Sequence, residues 1–205
     1  MKDYIKKRLE ESAELKTILA RDYVKEIEDA AKAIVKTYKK KGKVILMGNG
    51  GSASQCSHIA AEFIVQYEMK RPSLEAIALT TDISTITAGA NDFGYDQIFT
   101  RQIESIVKKK DIVIGLTTSG NSPNVLRGLE KAKQIGATTI ALTGKDGLYN
   151  KPAIYETIRL IMEGKAADYL IKVPSKRTSI IQEAHLTILH IICDVVEKKL
   201  YNNKK

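Results

Sequence analysis

Lys43-Val44-Ile45-Leu46-Met47-Gly48-Asn49-Gly50-Gly51-Ser52 joins an apolar run to a loop of glycines and small polar residues, and a helical pattern follows from residue 53. A strand buried on both faces of a parallel sheet reads as such a run of Val, Ile and Leu. Ending it in glycines and a hydroxyl, just ahead of a helix, turns backbone N–H groups and the positive end of the helix dipole toward one spot. The pattern recurs where Asp111-Ile112-Val113-Ile114-Gly115-Leu116 runs into Thr117-Thr118-Ser119-Gly120-Asn121-Ser122, again before a helical stretch. One such spot suits a phosphate. Two in one chain narrow the reading to a phosphorylated small molecule.

Outward from these loops, strand-like runs near 43–47, 75–80, 111–116, 137–142 and 168–173 alternate with helical patterns at 53–69, 95–109, 122–135 and 178–201. The alternation predicts an α/β fold: a three-layer, doubly wound sandwich with a parallel five-stranded sheet. Ligands of such sheets bind beyond the carboxyl ends of the strands, where both loops fall. Two further helices precede the sheet, with apolar positions Ile5, Leu9, Leu15 and Leu19, then Val24, Ile27, Ala31, Ile34, Val35 and Tyr38; Gly42 ends the second. The expectation is a single domain, 1–205, with a helical hairpin at 1–41 packed on an α/β core at 43–201. Leu148–Lys165 holds an amphipathic stretch, Ile154–Met162, that reads as a short extra helix.

Composition narrows the class. Apolar residues make up 43% and charged residues 28% of 205, as in ordinary globular proteins. The net charge of +9 is spread over runs such as Lys39-Lys40-Lys41, Lys108-Lys109-Lys110 and Lys198-Lys199. Each closes a helical segment, where cations favour the dipole. With 6% aromatics and no Trp, this argues against nucleic acid as a partner. Cys56 and Cys193 are too few for a disulfide framework or a cysteine zinc site. No apolar run nears ~18 residues, and the start, Met1–Arg8, is strongly charged. The expected setting is the cytoplasm, with no membrane partner.

His58 and Glu62 stand four apart on one predicted helix, and so share a face. Ser52 is placed to cap that helix. The His–Glu pair fits metal ligands, an acid/base pair or a surface ion pair. Gln182 and His190, eight apart on the last helix, lie roughly on one face in apolar surroundings. A buried His there needs a hydrogen-bond partner or a metal. His185 lies on another side and reads as structural.

The order Gly-Asn-Gly-Gly-Ser, His-x-x-x-Glu, Ala-Asn-Asp-Phe-Gly, Thr-Ser-Gly-Asn-Ser, Thr-Gly-Lys-Asp-Gly and Ile-Gln-Glu-x-His-x-x-x-x-His resembles the phosphoheptose isomerases of the sugar isomerase (SIS) family. The resemblance spans nearly the whole chain. It implies a homotetramer with active sites between subunits and interconversion of sedoheptulose 7-phosphate and D-glycero-D-manno-heptose 7-phosphate, a precursor of bacterial surface heptose. By resemblance Glu62 is the base at C1 and His190 the acid at the neighbouring oxygen. Moving a carbonyl by one carbon through an enediol needs such a pair. Asn49, Gly50, Gly51, Ser52, Glu62, Asn91, Asp92 and Gln182 would bind substrate, and Thr117, Thr118, Ser119 and Ser122 its phosphate. His58, Glu62, Gln182 and His190 match a zinc site of some members, one ion per subunit; no nucleotide cofactor is implied.

The chain departs from the family pattern at several points. Gln66 stands where the family carries an Arg, removing a guanidinium beside an anionic substrate, with Lys70 and Arg71 one turn on to compensate. Ser179 replaces an Asp, Thr117 a commoner Ser, and the stretch after Gly147 is about ten residues longer than the usual turn. These leave two other readings: an isomerase of a different sugar phosphate, and a non-catalytic SIS protein that binds the replication initiator. The second lacks the paired Glu and His kept here as Glu62 and His190.

Overall fold

Every residue of Val44–Gly48 and of Ile112–Thr117 is buried, as a strand covered on both faces requires. The computed structural model describes residues 1–145 and 167–202. In chain order these form α1 (Lys2–Asp22), α2 (Val24–Lys39), β1 (Val44–Gly48), α3 (Gly51–Ile64), β2 (Ala76–Ala78), α4 (Ile83–Phe93), a 3-10 turn (Tyr95–Gln97), α5 (Ile98–Ile106), β3 (Ile112–Thr117), α6 (Pro123–Ile135), β4 (Thr138–Gly144), β5 (Tyr169–Val173) and α7 (Thr178–Tyr201). The five strands pair in parallel in the order β2-β1-β3-β4-β5. The extra helix read into Leu148–Lys165 lies outside the described residues.

Alternation along the strands decides which layer each side chain joins. Val44, Leu46, Ile112, Ile114 and Leu116 face Ile34 of α2, Ile59 and Phe63 of α3, and Ile188 and Ile192 of α7. Ile45, Met47 and Val113 face Phe99 and Ile103 of α5 and Val125 and Leu129 of α6. By length and composition α7 could cross a membrane, yet its Ile181, Ile188 and Ile192 belong to the core. At the amino ends of β1 and β3 a buried ion pair joins Lys43 Nζ to Asp111 Oδ2 at 2.7 Å. The same carboxylate accepts the Lys43 and Lys108 backbone N–H groups.

Strand order reverses at β1 and β3: the chain steps from β1 to β2 on one side, then returns to β3 on the other. That reversal splays the loops after β1 and β3 and opens a crevice between them. Both small-residue loops border it.

Three readings change. Residues 83–93 fall outside the helical patterns read from the sequence; instead Asp82 caps a helix there, accepting from the Thr85 N–H (3.1 Å) and hydroxyl (2.6 Å). α3 stops at Ile64 rather than near 69, so Gln66, Lys70 and Arg71 lie beyond it. The N-cap of α3 is Gly50, not Ser52, which is buried inside the first turn.

Candidate active site

α3 and α7 are far apart in sequence, with His58 and His190 132 residues apart, yet each sends a histidine to one point. His58 Nε2 and His190 Nε2 lie 2.9 Å apart, and His58 Nε2 is 3.3 Å from Glu62 Oε1. Their ligand-capable atoms all fall within 4.8 Å of one another. Packing explains the convergence: Ile59 and Phe63 anchor one side of α3 in the core, and Ile188, Leu189 and Ile192 do so for α7. What remains outside the core is the His–Glu face of α3 and His190. Burial and the nearby His58 hold His190 below its ordinary value, with Glu62 pulling the other way. Its ring stacks on Tyr67, with centroids 5.4 Å apart and planes at 25°.

The loop after β1 is fixed by its backbone and by one asparagine. Gly50 has φ +55°, a left-handed conformation in which a side chain is strained. At Gly51 an added Cβ would meet Gln182 Nε2 at 2.7 Å, so the missing side chain lets α7 approach the start of α3. Gln182 is therefore brought to this loop, and its carbonyl accepts from Gln55 Nε2 at 2.6 Å. Asn49 exchanges two 2.9 Å amide hydrogen bonds with buried Asn124 of α6, and its Oδ1 also accepts from the Tyr95 hydroxyl at 3.0 Å. The Asn49 side chain is thus committed within the protein.

After β3, hydroxyls gather at the start of α6. Thr117 Oγ1 lies 3.0 Å from Ser122 Oγ and 3.5 Å from Ser119 Oγ, and Ser119 Oγ accepts from the Asn121 N–H. Gly120 takes φ +67° to make the turn, and Pro123 opens the helix. The Thr118 carbonyl accepts the Gly144 N–H, tying the loop to the end of β4. Small hydroxyls at a helix N-terminus beyond a strand form an anion-binding arrangement. Asn91 and Asp92 behave differently. They are exposed at the end of α4, with Asn91 Nδ2 bonded to Asp92 Oδ1, and among the described residues no hydrogen bond joins them to the rest of the site.

Sequence reading missed Asn124, Tyr95, Gln55 and Tyr67. Asn124 was legible as a polar residue at a position that burial would make apolar, two after the hydroxyl loop. Tyr67 gave no signal, because it was counted in α3. Arg71 does not offer its charge to the crevice: its side chain is 1% exposed and paired with Glu197.

The SIS domain family matches residues 9–144. The phosphoheptose isomerase of Clostridium acetobutylicum is 42% identical, the match covering 100% of this chain and 98% of that protein. That of Aquifex aeolicus is 46% identical, with 97% of each covered. The solved phosphoheptose isomerase of Francisella tularensis superposes with a TM-score of 0.85 at 36% identity, covering 96% of this chain and 97% of that one. With a match of this extent in sequence and in fold, the chain belongs to the SIS-domain family, among its phosphoheptose isomerases.

Proposed function

We propose that this chain interconverts sedoheptulose 7-phosphate and D-glycero-D-manno-heptose 7-phosphate. The observation that carries the reading is the meeting of Glu62 and His190 from two separate helices, within 4.8 Å, in a chain whose loop after β3 gathers hydroxyls suited to phosphate. Glu62 takes a proton from C1 of the ketose while His190 supplies one to the oxygen at C2. The resulting enediol gains a proton at C2 and loses one from the C1 oxygen, leaving the aldose with no net gain or loss of atoms. Held below its ordinary value, His190 is neutral near pH 7 and acts as an N–H donor to the developing oxyanion. Thr117, Thr118, Ser119 and Ser122 bind the phosphate. The backbone of Asn49, Gly50, Gly51 and Ser52, with Gln182, Asn91 and Asp92, holds the sugar hydroxyls. A binding protein without activity has no need of this pair.

The donor set of His58, Glu62 and His190 fits zinc: two imidazole nitrogens and a carboxylate oxygen converge, whereas the Gln182 side chain lies against Gly51 at the start of α3. A bound zinc would supply Lewis-acid polarisation of the carbonyl. It would also draw on the Glu62 carboxylate that proton transfer needs. α4 buries none of its residues within this chain, which supports active sites completed by a second subunit of a homotetramer. A phosphorylated sugar substrate supports a cytoplasmic setting.

Incubation with sedoheptulose 7-phosphate should yield heptose 7-phosphate. Glu62→Gln should abolish exchange of the C1 proton with deuterated solvent while the fold, read by circular dichroism, stays intact. No turnover by the wild-type protein, with or without added zinc, would falsify the substrate assignment. Exchange retained in the variant would remove Glu62 from the role of base.

A further inference from the structure

We propose that the buried Arg71–Glu197 pair is a positioning device that sets the geometry of Glu62 and His190 without touching substrate. The inference rests on the isomerase reading and concerns what holds its reacting groups in place.

α3 ends two residues after Glu62, leaving its last carbonyls without helical partners. Arg71 returns to meet them. Its Nη2 donates to the Glu62 carbonyl at 2.7 Å, and its Nη1 donates to the carbonyls of Phe63 at 2.7 Å and Pro72 at 3.0 Å. A guanidinium therefore caps the helix at the peptide of the base itself, where the dipole favours a cation. Its Nε donates to Glu197 Oε1 at 2.8 Å, and both side chains are 1% exposed.

Glu197 lies on α7, two turns beyond His190. Its carboxylate also accepts the backbone N–H groups of Tyr67 at 2.7 Å, Glu68 at 3.0 Å and Met69 at 2.9 Å. This fixes the residue whose ring stacks on His190. One ion pair thus grips the backbone of the base and the residue that orients the acid, across the helices carrying each. A buried ion pair adds little stability over a well-packed apolar replacement. Misplacing a reacting group by about 1 Å can cost roughly a hundredfold in rate.

The Lys43–Asp111 pair is the internal comparison. It is also buried, but it joins the amino ends of β1 and β3, at the opposite edge of the sheet from the crevice. Lys43→Met should lose stability while its folded molecules keep their kcat.

The test compares Arg71→Lys, Glu197→Gln, Tyr67→Leu, Tyr67→Phe and Lys43→Met below the melting point of each. The readouts are kcat and KM for sedoheptulose 7-phosphate and the NMR shifts of the His190 ring protons, which sense the Tyr67 ring. Arg71→Lys keeps the charge but loses the fork; Glu197→Gln keeps the shape but loses the charge. Both, with Tyr67→Leu, should lower kcat roughly ten- to a hundredfold with KM within about twofold. Tyr67→Phe should recover most of what Tyr67→Leu loses. Tyr67 is only partly buried, so its variants carry the test if the ion-pair variants fail to fold. Unchanged kcat in the first three variants, or an equal fall in Lys43→Met, overturns the proposal. An inactive wild type defeats the substrate assignment alone. Positioning is then read from the His190 ring protons, which should shift in Arg71→Lys and Glu197→Gln but not in Lys43→Met; unmoved signals overturn it.

Discussion

Asn124 is 1% exposed, and its amide meets that of Asn49 through two hydrogen bonds, with the Val125 N–H as a further donor to it. Asn124→Ala leaves the Asn49 amide short of partners beside the core. The expected cost is about 1–3 kcal/mol, because a part-buried polar group loses its partner without regaining water. KM should rise as well, since the loop after β1 loses its tether to α6; urea unfolding and steady-state kinetics would expose an unaltered variant. His185 is fully buried, and among the described residues neither ring nitrogen has a well-formed hydrogen bond. Burial lowers its pKa to about 4, against a weaker upward pull from the Thr143 backbone. The unfolded chain thus binds a proton that the folded chain refuses as pH falls from about 6.5 toward 4. That stability is fully present above the unfolded pKa and is lost on acidification, up to about 3 kcal/mol. His185→Leu should flatten the loss of urea midpoint between pH 7 and about 4.5. His190, also shifted down, contributes the same sign and remains in the variant. Equal slopes for both proteins would refute this account of His185.

Helix ends show where local sequence decides structure and where it does not. The glycine read as ending α2 is not the residue that reverses the chain: Lys41 takes the left-handed conformation at φ +56°. Gly42 instead lies against the Lys110 carbonyl, where a Cβ would collide. Lys41→Gly should stabilise the fold by about 0.5–1 kcal/mol, since a side chain is penalised at this φ. Gly42→Ala should cost more than about 2 kcal/mol, because backbone must move. Thermal melts of the two variants should shift in opposite directions, and a shared sign would contradict the assignment. The five strands were legible because strands buried on both faces leave unbroken Val/Ile/Leu runs. Glu62 and His190 were legible through motif order. α4 was not, because Ile83-Ser84-Thr85-Ile86-Thr87 is poor in helix formers and leaves no residue buried, so no apolar stripe marks it. The end of α3 was equally hidden. What stops it is Arg71 and Glu197, the latter more than a hundred residues away in sequence.

At the scale of the whole molecule, the chain leaves apolar surface without a partner. The first half of α1 exposes Tyr4 (64%), Ile5 (51%) and Leu9 (67%), positions whose spacing reads as a buried face. A groove of about 570 Å³ between α1, α2 and α7 is lined by Leu19, Val24, Ile27, Ile188, Ile191 and Val195. On the far side, α4 presents Ile83 and Phe93, 75% and 55% exposed, while Ile86 and Ala90 pack against the core. Apolar patches beyond a few hundred Å² mark interfaces, and two separate ones suit the two kinds of contact in a tetramer with dihedral symmetry. Burying Val24 and Ile191 against a second copy would strip water from the groove, and a charge placed there would then be stranded. Val24→Asp with Ile191→Asp should therefore yield a smaller species by light scattering than the wild type at the same concentration, the outcome expected of the proposed tetramer. If α4 completes a neighbour's site, activity per chain should fall with dissociation in both proteins as they are diluted. A wild type that scatters as a fully active monomer would remove the tetramer and leave each chain with a complete site of its own.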